Sequence, residues 1–206
     1  MKIEIVMQYD AAFEEIGAVS VPNVQAYAKK HGYDLRVFRD MPLSCPYWSK
    51  VWRMRQRRDE SRADYLFWLD TDALVLDFGV ALEDIRCGLI MDVPQDAYGI
   101  CTGAFGFLRS YPASQILDTW MFLGELENPH QIGLPGETRD QATLMLMERN
   151  FPEVRNYIGR IPETLIANEG RTVSATLPFI YLFWTRGKDK SQVVKAMQDK
   201  LKEVRS

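Results

Sequence analysis

The run YLFWLDTDALVLD, Tyr65 to Asp77, limits this chain more than any other stretch. Apolar and aromatic residues run unbroken to Leu69; Asp70 follows, and Asp72 stands one threonine further on. A strand buried on both faces of a sheet reads as such a continuous apolar run. Carboxylates at its end cost several kcal/mol or more to desolvate unless a cation meets them. The run therefore calls for a central strand with something positive at its end.

The flanking sequence supplies the rest of such a sheet. Ile3 to Met7 (IEIVM) is a short apolar run, expected as a buried strand ending at Gln8-Tyr9-Asp10. A helix is expected from Ser20 to Lys30, with Pro22 in its first turn and Gly32 past its end. Tyr33 to Phe38 alternates like a second strand, Trp48 to Arg58 is helical, and Leu74 to Leu76 briefly extends the central strand. Gly88 to Val93 and Gly103 to Leu108 are expected strands, and Pro112 to Leu126 a helix. The two prolines and two glycines of Glu127 to Glu137 mark a surface loop. A helix from Arg139 to Arg149 follows, then strands at Val154 to Tyr157 and Phe179 to Phe183. Ser191 to Val204 is an amphipathic helix with Val194, Met197, Leu201 and Val204 on one side. Strand–helix alternation in the first half argues an α/β fold, with a mainly parallel central sheet flanked by helices. At 206 residues without a linker or repeat, the expectation is one domain spanning residues 1–206.

Composition narrows the partners. A net charge of −3 offers no global field for nucleic acid or an anionic membrane. No apolar run approaches the roughly 20 residues that span a bilayer. MKIEIVMQYD is too short and too soon charged for a signal sequence. Cys45, Cys87 and Cys101 have neither even number nor CxxC spacing, as expected of reduced thiols. The expected setting is the cytoplasm, or the cytosol of a host cell, for a protein that is whole or the soluble piece of a larger one.

In open parallel sheets, ligands sit beyond the carboxyl ends of the strands. Asp70 and Asp72, one residue apart at such an end, can approach one ion from a bend. Carboxylate oxygens suit Mg²⁺ or Mn²⁺, which keep open positions for substrate phosphates. The plainer reading is a turn whose aspartates cap backbone amides.

With this segment the chain resembles the nucleotide-sugar glycosyltransferases of the GT-A (Rossmann-like) fold, and more closely glycosyltransferase family 34, of galactosyl- and xylosyltransferase type. The resemblance extends to NVQAYAKKHGYDL (Asn23 to Leu35), YWSKVWRM, CTGAFGFLRS (Cys101 to Ser110) and RDQATL. These blocks keep the family's order over about Ile3 to Leu146.

The resemblance implies a nucleoside diphosphate sugar donor, UDP by family habit with GDP left open, and a glycan hydroxyl as acceptor. It implies Asp72 as a direct ligand of Mn²⁺ (or Mg²⁺), and Asp70 on the metal or on the ribose and sugar hydroxyls. Lys50 would reach the donor's phosphates. On sequence grounds Lys50 lies in a helix N-terminal turn, where the dipole also favours anions. Gln8, Tyr9 and Asp10 would take base and ribose, although a bare strand-to-loop turn is an equal reading. Thr102, Gly103 and Ala104 would line the sugar pocket, with Cys101 standing where the family often has asparagine. Asp140 and Gln141 would lie beside the reacting sugar as the catalytic pair; alone, Asp140 reads rather as a helix cap. Arg55, Arg57 and Arg58 are expected on a solvated helix face, and His31 as a helix-end residue.

One block departs from the family. A late His-Phe-x-Gly-x-Lys stretch has its counterpart in FWTRGKDK, Phe183 to Lys190, with Phe183 where the histidine ligand would stand. Lys188 keeps the phosphate role and Arg186 lies beside it, while His130 in the expected loop is a poor substitute ligand. Family members retain anomeric configuration, and a front-face route needs no nucleophilic carboxylate. Two rivals remain: an aspartate-nucleophile phosphatase, and a non-catalytic module of the same fold that binds sugar or nucleotide.

Overall fold

The computed structural model describes residues 1–94, 100–126, 139–162, 164–168, 178–183, 185 and 188–205. The segment Glu127 to Glu137, with His130, and Arg186 lie outside the described residues. Strands β1 (Ile3–Gln8), β2 (Asp34–Phe38), β3 (Tyr65–Leu69), β5 (Met91–Pro94), β6 (Ala104–Leu108) and β7 (Ile158–Ile161) form one sheet in the order β2-β1-β3-β6-β5-β7. β1 pairs parallel with β2 and β3, and β5 with β7, whereas β6 runs antiparallel to both neighbours. Five strands thus share one direction, as the alternation of elements predicts. A smaller sheet joins β4 (Ala73–Val75), β9 (Ile180–Leu182) and β8 (Ile166–Asn168).

β3 lies inside the large sheet, and all five of its residues are buried. Trp68 and Leu66 point into a core shared with Phe105, Phe107 and Trp120, while Tyr65, Phe67 and Leu69 enter the opposite core with Tyr27 and Phe179. That two-sided burial is what an unbroken apolar strand requires.

Helices α1 (Glu14–His31), α2 (Pro46–Glu60), α3 (Tyr111–Leu126), α4 (Arg139–Asn150), α5 (Pro152–Tyr157) and α6 (Lys190–Arg205) complete the described elements. α1 starts six residues before the expected Ser20, leaving Pro22 inside it. Ile16, Ser20, Val24, Tyr27 and Ala28 form one buried face, and this packing outweighs the helix penalty of an interior proline. At its end, Gly32 adopts φ 73°, and Tyr33 N donates to Ala28 O at 2.9 Å, a left-handed cap that only glycine enters freely. His31 stacks on Tyr33 and contacts Phe78 O through Nε2, a structural role as expected.

Asn23 binds β4 as a neighbouring strand would. Its Nδ2 donates to Val75 O at 2.9 Å, and Val75 N donates to its Oδ1 at 2.8 Å. The segment just past Asp72 is thereby fastened to α1.

Three further expectations need correction. Val154–Tyr157 is helix, because Pro152 suits the first helical position, and the strand begins at Ile158. Gly88 to Ile90 precede rather than join β5: Cys87 N and Gly88 N both donate to Asp92 Oδ1 at 2.7 Å, folding the chain back over that buried carboxylate. Arg57 and Arg58 are not solvated. Arg57 grips Glu4, which is 3% exposed, through Nε at 2.7 Å and a second nitrogen at 3.1 Å. Arg58 lies between Asp59 and Asp118, and Arg55 also pairs with Asp118. The helix's positive face meets acids of β1 and α3, which the linear pattern of α2 does not reveal.

Candidate active site

β1 and β3 end side by side, and a cleft of about 240 Å³ opens past their carboxyl ends. Gln8, Tyr9 and Asp10 come to it from β1, Trp68, Asp70, Thr71 and Asp72 from the end of β3, and Pro46, Tyr47 and Lys50 from α2. The last three occur together because positions three and four apart share a helix face. Phe13, Met41 and Thr185 complete the wall.

α2 begins at Pro46, so Lys50 stands in its second turn rather than at its first amides. Its charge acts through its contacts rather than through the helix dipole. Lys50 Nζ lies 3.1 Å from Asp70 Oδ1 and 3.4 Å from Asp140 Oδ2. It also donates to Thr102 O at 3.1 Å. Thr102 Oγ1 donates to Asp140 Oδ2 at 2.7 Å. Asp140, 2% exposed, opens α4 behind the cleft, and the indole of Trp120 donates to its carbonyl at 2.8 Å. Asp70 is fixed further by Trp68 Nε1, 2.6 Å from Oδ1, and by its own N, which donates to Gly103 O at 2.8 Å.

Burial alone would pull the Lys50 ammonium's pKa down, but Asp140 and then Asp70 outweigh it and the net shift is upward. Burial pushes the Asp70 carboxyl up, and Lys50 and Trp68 oppose without cancelling it. Asp72 is pushed up to about 7 by burial and then by the charge of Asp70. Thr185 hydrogen-bonds Asp72 and pulls in the other direction. Lys50 is thus shared between Asp70 and Asp140, while Asp72 stands close enough to feel the charge of Asp70 with less cationic charge against it. Excess negative charge at a cleft mouth is a setting that a divalent cation relieves.

The donor set fits such an ion in a particular way. Among the described residues, no cluster of three or more acidic, histidine or cysteine side chains is arranged to hold a metal. Two carboxylates fit Mg²⁺ or Mn²⁺ completed by substrate phosphates and water, not a cage made by protein alone. Phe183 brings no ligand. Its ring is buried with Ile16, Leu74 and Met197, although its N donates to Asp72 O at 2.8 Å.

The other expected site residues are distributed unevenly. Gln8 is clamped by Arg53, whose Nε lies 3.0 Å from Gln8 Oε1. Tyr9 is buried, its ring pressed against Gly17, where a Cβ would come within 2.7 Å of it. Asp10 Oδ1 accepts from Ala12 N at 3.0 Å, capping a short turn before α1. Gly103 adjoins Asp70, while Ala104 is wholly buried in β6 opposite Leu69. Gln141 is nearly buried beside Asp140 in α4. Lys188 is exposed, its N donating to Thr185 O at 3.2 Å.

Sequence reasoning missed Trp68, Thr71, Met41 and Thr185. Trp68 was within reach, since residues two apart on a strand share a face, which sets it beside Asp70. Thr71 Oγ1 donates to Gln8 O at 2.9 Å, tying the two strand ends together. Thr185 arrives from a distant segment with no local signal.

Against solved structures, the chain superposes on a glycosyltransferase involved in glycosylation of the major capsid of PBCV-1, with a TM-score of 0.76, 16% identity, and coverage of 97% of this chain and 100% of that one. It also superposes on the galactosyltransferase LgtC, solved with donor and acceptor sugar analogs, at a TM-score of 0.60 and 10% identity over 98% and 96% of the two chains. Residues 8–89 match the profile of the galactosyl transferase GMA12/MNN10 family. The chain has the GT-A fold. The probable alpha-1,6-mannosyltransferase MNN10 of Saccharomyces cerevisiae is 28% identical over 185 residues, covering 71% of this GT-A chain and 46% of that protein. The chain therefore spans about half the length of that relative. Among the described residues of the GT-A chain, no helix is long and apolar enough to cross a membrane.

Proposed function

We propose that this chain transfers a sugar from a nucleoside diphosphate sugar to a hydroxyl of a glycan, with Mn²⁺ or Mg²⁺ held at Asp72 and Asp70. The observation that carries the reading is the cluster at the end of β3, in a GT-A fold, where Lys50 pairs with Asp70 and Asp140 and Asp72 opens to the same cleft. When bound, the cation neutralises charge that builds on the leaving diphosphate. In this reading the base and ribose take the side of Gln8, Tyr9 and Asp10, UDP being the first candidate. The sugar takes the side of Thr102 and Gly103, with Ala104 buried behind them, and Lys188 reaches toward the phosphates. Lys50, held by Asp70 and Asp140, carries a fixed positive charge to the cleft without reorganisation during reaction. Asp140 and Gln141 serve beside the reacting sugar, Asp140 by anchoring Lys50 and Thr102. Retention follows from a front-face route in which positioning and charge stabilisation suffice. The names of MNN10 and LgtC support a hexose as the group moved. The setting is proposed to be a cytosol.

One observation favours a second reading. Phe183, which the resemblance to family 34 sets where a histidine ligand would stand, is buried in the core with Ile16, Leu74 and Met197, which suits a module that binds sugar or nucleotide without turnover. A screen of UDP- and GDP-sugars for hydrolysis without acceptor separates the possibilities. The transferase is expected to release nucleoside diphosphate with Mn²⁺ and to stop when the metal is chelated. Binding without turnover supports the module, and phosphate release from a simple phosphoester supports a phosphatase.

A further inference from the structure

Gln8 lies in the cleft wall at the end of β1, and its amide has one admissible orientation. Arg53 Nε approaches one end of that amide at 3.0 Å, and a guanidinium can only donate. That end is therefore Oε1, and the NH₂ must face the other way. There Nε2 meets the thioether sulfur of Met41, also in the cleft wall, at 2.9 Å. Thioether sulfur is a weak acceptor, so this donor gains by exchanging it for a carbonyl oxygen.

Arg53 has no freedom to release the amide. It is 4% exposed, paired through NH2 to Asp40 at 2.7 Å and through NH1 to Gln56 at 2.6 Å, with its guanidinium 4.0 Å from the centre of the Phe38 ring. A buried arginine fastened on every side holds the glutamine as a fixed donor.

We infer that Arg53, acting through Gln8, makes the cleft select a nucleobase bearing a carbonyl oxygen over one bearing an amino group at the equivalent ring position. This rests on the transferase reading, in which the base sits at the end of β1. At C4 of a pyrimidine or C6 of a purine, uracil and guanine offer the acceptor, whereas cytosine and adenine present an amino group, donor against donor. Arg53 is a positioning residue, and Gln8 is the group that touches the base. A base that meets this donor with another donor leaves it only the weak thioether partner, and so binds less well.

The test is calorimetric binding of UDP, CDP, GDP and ADP, each with Mn²⁺, compared within the pairs UDP/CDP and GDP/ADP. Wild-type protein is expected to bind the carbonyl member of the pair it accepts at least about tenfold more tightly. Gln8→Glu keeps a partner for Arg53 but replaces the donor with an acceptor, and is expected to abolish or invert that preference. Thermal melting checks that the variant is folded. Equal binding within both pairs by the wild type, or an unchanged preference in a folded Gln8→Glu variant, overturns the inference and leaves the transferase reading standing. If none of the four nucleotides binds, both fall.

Discussion

Lys50 Nζ sits 3.1 Å from Asp70 Oδ1, closing the charge of the first acid of the pair from inside the fold. That relationship divides the two aspartates. Asp70 is engaged by Lys50 and Trp68, whereas Asp72 has Thr185 beside it and a carboxyl pushed up to about 7. On the proposed reading, an incoming dication finds in Asp72 the acid whose charge the protein's own cations offset less.

Lys50→Met removes the ammonium from two carboxylates, one of them fully enclosed. Breaking a buried pair by deleting one partner costs about 3 kcal/mol. The expected outcome is a loss of that size in denaturant unfolding, together with loss of donor hydrolysis. Unchanged stability would show that the cluster is solvated.

Arg57→Met tests the other buried pair, remote in role from the cleft. Glu4 is held by Arg57 and by Ser61 Oγ at 2.9 Å, and without the arginine it keeps a buried, largely uncompensated charge. A loss of about 3 kcal/mol is expected in the same assay, with nucleotide affinity retained in the folded fraction.

Asn23→Ala removes both hydrogen bonds that hold Val75. About 2 kcal/mol of stability should be lost, since the β4 backbone then finds only water or nothing in their place. Metal-dependent nucleotide binding should weaken too, because β4 begins one residue past Asp72. An effect on stability alone would confine Asn23 to the fold.

Alkaline pH should unfold the protein earlier than its acidic composition suggests. Tyr33 is pushed up to about 12 by burial and its bond to Glu83, and burial raises Tyr27 and Tyr65 as well. Each is neutral in the fold and ionises more readily when unfolded, at about pH 10. Their stabilisation is complete below pH 10 and declines as pH rises through the folded values. Far-ultraviolet dichroism against pH should fall between about 10 and 12, in step with tyrosinate absorbance. A tyrosinate signal rising fully at pH 10 with the fold intact would contradict this.

The strand carrying the acids was legible because a two-sided buried strand leaves an unmistakable apolar run; Lys50 came from the resemblance to family 34, and its place in the second turn of α2 differs from the first-turn position expected. Less legible was whatever depended on contacts between distant segments. The true start of α1 is decided by packing of Ile16, which local propensity around Pro22 conceals. The burial of Arg57 depends on Glu4, which lies 53 residues away. Thr185 and Phe183 meet Asp72 only because β9 pairs with β4, and no local pattern announces that pairing. The resemblance to family 34 drew attention to Asp140, whose bonds to Lys50 and Thr102 no spacing rule would supply.

The most direct measurement is titration of UDP and GDP by calorimetry, with and without Mn²⁺, on wild-type protein and on Asp72→Asn. Binding should require the cation in the wild type and lose at least about tenfold in the variant, while thermal stability is kept. Nucleotide binding indifferent to Mn²⁺, or as tight in Asp72→Asn as in the wild type, would contradict a metal-bridged diphosphate at the end of β3.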